Sequence, residues 1–474
     1  MKIFSIYTDR SQQAFCRGRR LVVLVALAVP GWGGHALAAA ETVPQPLRSD
    51  IQVQKLLVTE NPNVAPTRIA KDPRDDTLFY LKLSGDLYQV DRVAKTSTLV
   101  ATSADHGVRL AQGMAIAADG TIYLVGNGNV GSNETRGTIV KGVPQPGGRV
   151  WSVLARSASY PRSKTAFDHR MNGIVVDPTG TYVYVNSGSR TDHGEVQSTG
   201  GLYPGLREAG LTACILKLPA NGTGIVLKND RAWLKSHGYV FAEGTRNTFD
   251  MALDADGNLF GTENGPDRDM SDELNWLSSG NHYGFPWRIG GADNPQQFDD
   301  YDPGTDPLLN PLFNAVSKGY YRNDPQFPPR PAIPLVEPIP NFGPHADSFR
   351  DPSGAIKDAS ALHTSTGTFT AHRSPLGLVF DRAKFLAPEF RGDGFMLSWT
   401  KGDPSGDTRA GPFKDPGQDL LHLQLTKTAT GYTLRATRIV GKFNQPVDAE
   451  IIGNHIYVLD YAGTQSIWDV TLPL

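Results

Sequence analysis

The sequence predicts an all-β fold, a six-bladed β-propeller with a long proline-rich loop insertion. Fifty glycines and thirty-four prolines indicate many turns, and 39% hydrophobic residues are enough for a core. In addition, one turn-and-strand pattern recurs along most of the chain. Closed all-β folds of this length are common as one unit. We therefore expect a single domain over residues 41–474.

The recurring pattern is a tight turn followed by a short strand with alternating side chains. Its spacing is close to that of four-stranded propeller blades. A sixth blade is expected after Ser374, where residues 376–380, 394–398 and 420–425 have the pattern of strands. Seven blades, or a degraded set of five, are the alternatives. The copies of the pattern begin at Asp72, Ala118, Asp177, Asp254 and Gly453.

Residues 291–350 break this pattern, because twelve of the thirty-four prolines lie there. Proline at this density cannot maintain a central sheet ladder. The segment is either a disordered linker or an ordered cap held by aromatic residues such as Tyr301, Tyr320 and Tyr321. We favour an ordered insertion over about residues 291–371, since long loops of compact domains are often functional.

Residues 1–40 have the features of a signal peptide. Arg19 and Arg20 precede the apolar run 21–29, and small residues favour cleavage near Ala38–Ala40. The paired arginines leave open whether export is general or of the twin-arginine type. The apolar run is too short to span a bilayer. We therefore expect a periplasmic or secreted protein with no membrane span.

The charge balance gives little indication of a macromolecular partner. The formal net charge is −2, so neither nucleic acid nor an anionic membrane is favoured. Cys16 lies in the signal peptide, which leaves Cys214 without a disulfide partner in the mature chain. Flanked by apolar residues, Cys214 is expected to be a small buried hydrophobe.

A dense group of acidic residues follows the predicted strand near Phe260. Carboxylates, together with the backbone carbonyls of a Gly265-Pro266 turn, are the oxygen ligands that calcium prefers. The spacing differs from that of an EF-hand, so a solvated acidic loop is the alternative. The acidic residues are Glu263, Asp267, Asp269, Asp272 and Glu273.

Four short motifs follow one another in this region: Gly-x-Arg-Asn at 244–247, Glu-x-Gly-Pro at 263–266, Asp-Glu-Leu-Asn at 272–275 and Gly-Asn-x-Tyr-Gly-x-Pro at 280–286. This order resembles the signature of the glucose/sorbosone dehydrogenase family, which includes soluble quinoprotein glucose dehydrogenase and soluble aldose sugar dehydrogenases. The resemblance implies a six-bladed propeller that holds pyrroloquinoline quinone and calcium on one face. It also implies a sugar substrate and a separate electron acceptor, such as a cytochrome or a quinone.

The resemblance assigns roles to individual residues. Arg246 and Asn247 would lie beside the cofactor, and Arg246 would stabilise the oxyanion formed on reduction. The backbone carbonyls of Gly265 and Pro266 would bind the calcium, which acts as a Lewis acid on the quinone. A structural salt bridge is the alternative for Arg246. The remaining residues assigned to the ion or to the support of its loop are Glu263, Asp272 and Glu273.

His169 is the candidate general base, because its position before a blade strand resembles the family segment that carries the catalytic histidine. A neutral imidazole can remove a hydroxyl proton while hydride leaves carbon. Asp168 is expected to orient or polarise the ring. His106, in a similar local sequence, is the alternative base.

The last two blades depart from the family pattern. Lys401 matches a lysine that contacts the carboxylates of the quinone in some members, with an exposed surface lysine as the alternative. Gln445 and Val447, however, stand where members commonly have arginine. Losing a bidentate guanidinium should weaken the binding of an anionic cofactor. Our hypothesis is that Arg373 or Lys442 compensates.

The leading functional hypothesis is a dehydrogenase, dependent on pyrroloquinoline quinone and calcium, that oxidises an aldose or a related sugar. A calcium-dependent hydrolase of the lactonase type is the second hypothesis, since a metal can also activate water. The third is a non-catalytic propeller that binds carbohydrate or protein, because a fold does not determine a function.

Overall fold

The computed structural model describes residues 42–401 and 411–474, and these form six main sheets around a central channel, antiparallel except where Ile225–Leu227 joins its sheet. The inner strands of successive blades pack against each other in order, and the last packs against the first. The ring is therefore closed, and the predicted six-bladed fold is confirmed. The predicted signal peptide lies outside the described residues.

Each blade is ordered from an inner strand at the channel to an outer strand at the rim. Blade 4 has three regular strands, and the others have four or more. In this order, blade 1 contains Pro66–Lys71, Leu78–Lys82, Leu87–Asp91 and Thr96–Ala101; blade 2, Ala111–Ile116, Ile122–Val130, Glu134–Gln145 and Gly148–Ser157, extended by Tyr160–Pro161 and Ile225–Leu227; blade 3, Met171–Val176, Tyr182–Ser187, Cys214–Pro219 and Val240–Glu243; blade 4, Thr248–Leu253, Leu259–Glu263 and Glu273–Leu277; blade 5, Pro375–Phe380, Gly394–Ser398, Leu420–Lys427, Tyr432–Gly441 and Gln45–Pro46; blade 6, Pro446–Ile452, His455–Asp460, Ser466–Thr471 and Gln52–Val58.

The repeated turn of the sequence is the hairpin between the inner and second strands of a blade. All five copies lie at this connection, and the sixth connection is residues 381–393 of blade 5. In blade 4, for example, Asp254 Oδ1 accepts hydrogen bonds from the backbone of Asp256 and Asn258, at 2.9 and 2.8 Å. Such Asx turns explain why Asp and Gly recur there.

Two sets of loops share one face of the ring, which we call the site face. Neighbouring strands of a blade run antiparallel, so the loop entering an inner strand and the loop leaving a second strand lie on the same side. The loop before Met171 and the loop after Ser187 are therefore neighbours in blade 3. Residues far apart in sequence thus meet at one end of the channel.

The ring is closed by chain segments from both ends. Gln52–Val58 pairs with Ser466–Thr471, and Gln54 and Asp469 are 415 residues apart. The fully buried Lys82 adds a polar contact near this seam, donating to Thr59 Oγ1 and Gln465 Oε1 at 2.9 Å each. The first and last blades therefore depend on each other.

Arg68 crosses the channel from the inner strand of blade 1. Its Nε donates to Gln112 O of blade 2 at 2.7 Å, and its Nη2 donates to Phe249 O of blade 4. Its Nη1 lies 3.0 Å from Asp250 Oδ1 and 3.8 Å from Asp448 Oδ1. One guanidinium thus links four blades at the axis.

The proline-rich insertion is ordered and lies between blades 4 and 5. Ile339 N donates to Leu274 O at 2.9 Å, so this part of the insertion runs beside the third strand of blade 4. Residues 295–324, which we call the cap, pack Tyr301, Ala315 and Tyr321 around Phe167 on the site face. The strand Arg288–Ile289 lies just before the insertion, and the regular elements within it are Ala292–Asp293, Pro295–Gln297, Pro303–Thr305, Asn314–Ser317, Ser348–Arg350 and Ile356–Asp358.

Helices are few and short. Besides those of the cap, the helices of the described residues are Ser103–His106 and Arg231–Ser236. None of the helices in residues 42–401 and 411–474 is long and apolar enough to cross a membrane. Cys214 lies fully buried at the start of the third strand of blade 3, as expected of a small hydrophobe.

Candidate active site

His169 is fully buried and lies two residues before the inner strand of blade 3. Its Nδ1 is 3.0 Å from both the carbonyl oxygen and the Oγ of Ser189. The two segments approach closely because Gly188 has no side chain: a Cβ there would lie 2.6 Å from the Cβ of His169. Nε2 has no hydrogen-bond partner among the described residues.

Ser189 determines which ring nitrogen carries the proton. The Ser189 hydroxyl donates its proton to Thr191 O at 2.8 Å, so its oxygen must accept a hydrogen bond from His169 Nδ1. The Ser189 carbonyl oxygen can only accept as well. Nδ1 therefore carries the proton, and Nε2 keeps a free lone pair. Burial and the positive charge of Arg246 lower the pKa of His169 well below 6.5. The ring is consequently a neutral base at neutral pH.

Asp168 does not take the orienting role expected of it. Its carboxylate accepts hydrogen bonds from Ser163 N and Ser163 Oγ, at 2.6 and 3.0 Å, and from Lys164 N at 2.9 Å. It stabilises the preceding turn, and Ser189 orients His169 instead. His106 uses both ring nitrogens locally, with Gly85 O at 2.8 Å and Val108 N at 3.1 Å.

Arg246 lies two residues before the inner strand of blade 4 and is 1% exposed. Its Nε donates to Asp192 O at 2.6 Å and its Nη2 to Asp192 Oδ1 at 2.9 Å. Its Nη1 donates to Asn264 O at 3.0 Å. Each Nη has a second N–H that no described residue uses. The guanidinium is thus held rigidly with donors to spare.

Asp192 is a site residue that the sequence analysis missed. Its Oδ2 lies 2.9 Å from His193 Nδ1 and accepts from Tyr321 OH of the cap at 3.2 Å. Burial opposes ionisation, but the hydrogen bond from His193 and the charge of Arg246 lower the pKa of Asp192 to about 2. The available signal was an Asp-His pair in a loop that leaves a second strand, because such loops share the site face.

A chain of asparagines fixes the position of Asn247 under the site. Asn186 donates to Asn172 Oδ1 at 2.6 Å, and Asn172 donates to Asn247 Oδ1 at 2.9 Å. Asn247 donates to Asn264 Oδ1 at 2.7 Å, and Asn264 donates to Pro375 O at 3.0 Å. The chain connects blades 3, 4 and 5, so each side-chain amide is oriented by the next.

The Gly265-Pro266 turn leaves the second strand of blade 4 beside Arg246. Gly265 N donates to Asp272 Oδ1 at 2.6 Å, which folds the loop back on itself. A Cβ at Gly265 would lie 3.0 Å from both Asp272 Oδ1 and Met270 O, so a larger residue would crowd the turn. Within the described residues, neither the Gly265 nor the Pro266 carbonyl accepts a hydrogen bond. Both oxygens are available to a cation.

The nearby carboxylates are buried and hydrogen-bonded to backbone N–H groups, so they do not form a solvated acidic loop. Glu263 accepts from Arg246 N at 2.5 Å, Asp272 from Ser374 N at 2.8 Å, and Glu273 from Gly290 N at 2.6 Å. Burial raises the pKa of Asp272 to about 6 and that of Glu273 to about 7. In the part of the chain that the structure describes, no three His, Cys, Asp or Glu side chains are arranged to hold a metal.

In blade 5, the guanidinium of Arg373 is fully paired with two aspartates. Its Nη1 donates to Asp415 Oδ2 at 2.8 Å, and its Nη2 donates to both oxygens of Asp419 at 2.7 Å. It therefore has no charge left to compensate for the missing arginines, contrary to our hypothesis. Lys401 is exposed at the site face, and the residues that follow it lie outside the described ranges.

The sixth blade supplies no cation to this region either. Gln445 is half-buried, and Val447 is packed in an apolar cluster of the core. Lys442, the other residue of the compensation hypothesis, is exposed. The described cations that remain for an anionic cofactor on this side include the exposed lysines Lys401, Lys414 and Lys442.

Comparisons with known proteins agree with this geometry. Residues 115–307 match the family model described as Glucose / Sorbosone dehydrogenase. This range contains His169, Arg246 and the Gly265-Pro266 turn. No curated protein matches the chain in sequence.

Solved structures share the fold at low sequence identity. A glucose dehydrogenase is 16% identical, with a TM-score of 0.55, over 89% of this chain and 100% of its own. The holo form of the pyranose dehydrogenase PQQ domain from Coprinopsis cinerea is 14% identical, with a TM-score of 0.53, over 90% and 98%. The apo-form soluble aldose sugar dehydrogenase from Escherichia coli is 13% identical, with a TM-score of 0.51, over 89% and 99%. Residues 115–307 thus match the glucose/sorbosone dehydrogenase family model, and the chain shares the six-bladed fold of these sugar dehydrogenases.

Proposed function

We propose that this sugar-dehydrogenase-like protein oxidises an aldose or related sugar with pyrroloquinoline quinone and calcium. The observation that carries the proposal is the buried, unpartnered Nε2 of His169 beside the spare donors of Arg246. Buried polar atoms without partners are rare and often mark a functional site. The site therefore offers a proton acceptor and an anion stabiliser together.

The residues present fit the quinone and its calcium at the reacting end. The carbonyl oxygens of Gly265 and Pro266, which accept no hydrogen bond in the described structure, would hold the calcium, and Arg246 with Asn247 would hold the quinone. When bound, the pair supplies an electrophilic hydride acceptor. At the far end, Lys401 is the candidate partner for a cofactor carboxylate.

His169 performs the proton step. Its Nε2 accepts the proton of the substrate hydroxyl, while the bond from Nδ1 to Ser189 keeps the ring in the required tautomer. Arg246 stabilises developing negative charge with the free N–H groups of its Nη atoms. Asp192 balances the charge of Arg246, so the guanidinium stays in place in a buried site. Tyr321 of the cap donates to Asp192, so the cap lies directly against the site.

The test uses purified mature protein supplied with calcium and pyrroloquinoline quinone. We expect sugar-dependent reduction of an artificial electron acceptor. His169→Gln should lower kcat/KM by about 100- to 10,000-fold, since it removes a general base. His106→Gln is the matched control and should keep most of the activity. Lactone hydrolysis without the quinone, or equal losses in both variants, would contradict the proposal.

A further inference from the structure

A second polar cluster lies beside His169, and it contains more cations than acids. Arg162 and Arg170 are 8% and 9% exposed, and the acid next to them is Asp168, at 6%. The cluster is at the boundary of blades 2 and 3, where Arg162 Nη1 reaches Asn129 Oδ1 at 3.4 Å. None of these side chains is used in the proton step proposed above.

Arg170 is an unpaired buried cation. Its side chain makes no hydrogen bond or ion pair with the described residues, and its Nε is fully buried without a partner. Burial and the charge of the neighbouring Arg162 lower the pKa of Arg170, and the charge of Asp168 offsets this only in part. Its backbone is also left-handed, with a φ of 60°. Such a placement lowers stability.

Arg162 is only partly neutralised. Its Nε lies 3.5 Å from Asp168 Oδ2 without forming a hydrogen bond. Asp168 already accepts three hydrogen bonds from Ser163 and Lys164. One carboxylate with those commitments cannot balance two guanidinium groups, so the cluster has an excess of positive charge.

The position of the cluster indicates what an anion there would belong to. Arg170 directly follows His169, the base that must meet the substrate. Lys401, the candidate partner for a cofactor carboxylate, lies at blade 5 on another part of the ring. Arg162 and Arg170 lie in the loop that enters the inner strand of blade 3, so an anion held by them would share the site face with His169.

We propose that Arg162 and Arg170 bind an oxyanion carried by the substrate, so that the preferred sugar is acidic. Guanidinium groups suit carboxylates and phosphates, because their planar N–H groups match two oxygens at once. The inference rests on the proposed function for the sugar, whereas oxyanion binding needs neither quinone nor turnover. The oxyanion is either the carboxylate of a uronic acid or the phosphate of a sugar ester.

Calorimetric titration of the protein without quinone tests the inference. The probes are D-glucuronate, D-glucose 6-phosphate and D-glucose, each at low and high salt. We expect one of the two anions to bind at least about tenfold more tightly than glucose, and its identity separates carboxylate from phosphate. Arg170→Met should lower the affinity for that anion by about tenfold, as expected for one charge-assisted contact. Its affinity for glucose should not change.

Controls separate binding from structure. Arg136→Met removes an exposed arginine from the third strand of blade 2 and should change no affinity. Arg170→Met should not lower Tm, since it removes an unpaired buried charge, whereas a structural role predicts a lower Tm. Arg162→Gln is the second variant and should also weaken anion binding.

The inference is overturned if neither anion binds more tightly than glucose, or if Arg136→Met and Arg170→Met lose anion affinity equally. Dehydrogenase activity without preferential anion binding would remove this inference and leave the proposed function. Anion binding without dehydrogenase activity would support oxyanion binding at this cluster and contradict the proposed function.

Discussion

Arg246 and Arg373 occupy the same position in neighbouring blades, yet their surroundings differ. Each lies two residues before an inner strand and is almost fully buried. Arg373 is paired with two aspartates, and every N–H group it has reaches an acceptor. Arg246 is paired with one aspartate and retains unused N–H groups. Burial and ion pairing are thus shared, and the unused donors distinguish Arg246, the position proposed to take part in the reaction.

The largest expected effect is a loss of stability when Arg373, whose N–H groups are all used, is replaced. Arg373→Met removes one of the two cations of the fully buried Asp419, which keeps only Arg438. It also removes the guanidinium paired with Asp415, so the free energy of unfolding should fall by about 3–5 kcal/mol. Urea denaturation measures this change, with Arg136→Met as the exposed control. A fall no larger than that of the control would show that the pairing is not structural.

The next effect is on catalysis at the other arginine. Arg246→Lys keeps the charge but loses the planar set of donors, and kcat should fall by about 100- to 1,000-fold. Steady-state kinetics and urea denaturation of the same variant separate a catalytic role of Arg246 from a structural one. If stability falls as much as in Arg373→Met while kcat is retained, the distinction between the two positions is wrong.

Ser189→Ala should have a smaller effect, because the Ser189 carbonyl still accepts from His169 Nδ1. Losing one hydrogen bond of about 1 kcal/mol corresponds to roughly a fivefold lower kcat/KM. Ser163→Ala, which removes a hydroxyl bonded to Asp168, is the control and should change kcat/KM less. Equal losses in both variants would argue against an orienting role for Ser189.

The smallest effect is a shift in pH dependence. Because the pKa of His169 is lowered, the ring stays neutral as pH falls through 6.5, and kcat/KM should remain flat there and decline only at lower pH. Arg246→Gln removes a positive charge that disfavours the imidazolium, so this decline should move to higher pH. An unchanged profile in the residual activity of Arg246→Gln would exclude that electrostatic coupling.

The sequence predicted the parts that depend on local chemistry. The Asp and Gly hairpin turns, such as the one at Asp254, marked five of the six blades, since each turn is satisfied within a few residues, and the sixth was expected from the strand pattern after Ser374. The motif around Arg246 indicated the region of the candidate site. Asp415 and Asp419, the ion-pair partners of Arg373, lie over forty residues away from it with no periodic relation. The full pairing of Arg373 therefore could not be predicted from the sequence. The same holds for the partnership of Asp192 with Arg246.

The closure of the ring has a consequence for synthesis. Gln54 meets its partner Asp469 only after the intervening chain has emerged, which at about 5–20 residues per second takes roughly 20–80 s. Until then the strand Gln52–Val58 has no sheet to join, and blade 1 lacks blade 6 on its other side. A ribosome that stops before the last three strands therefore leaves an open arc of blades, a natural substrate for chaperones and proteases.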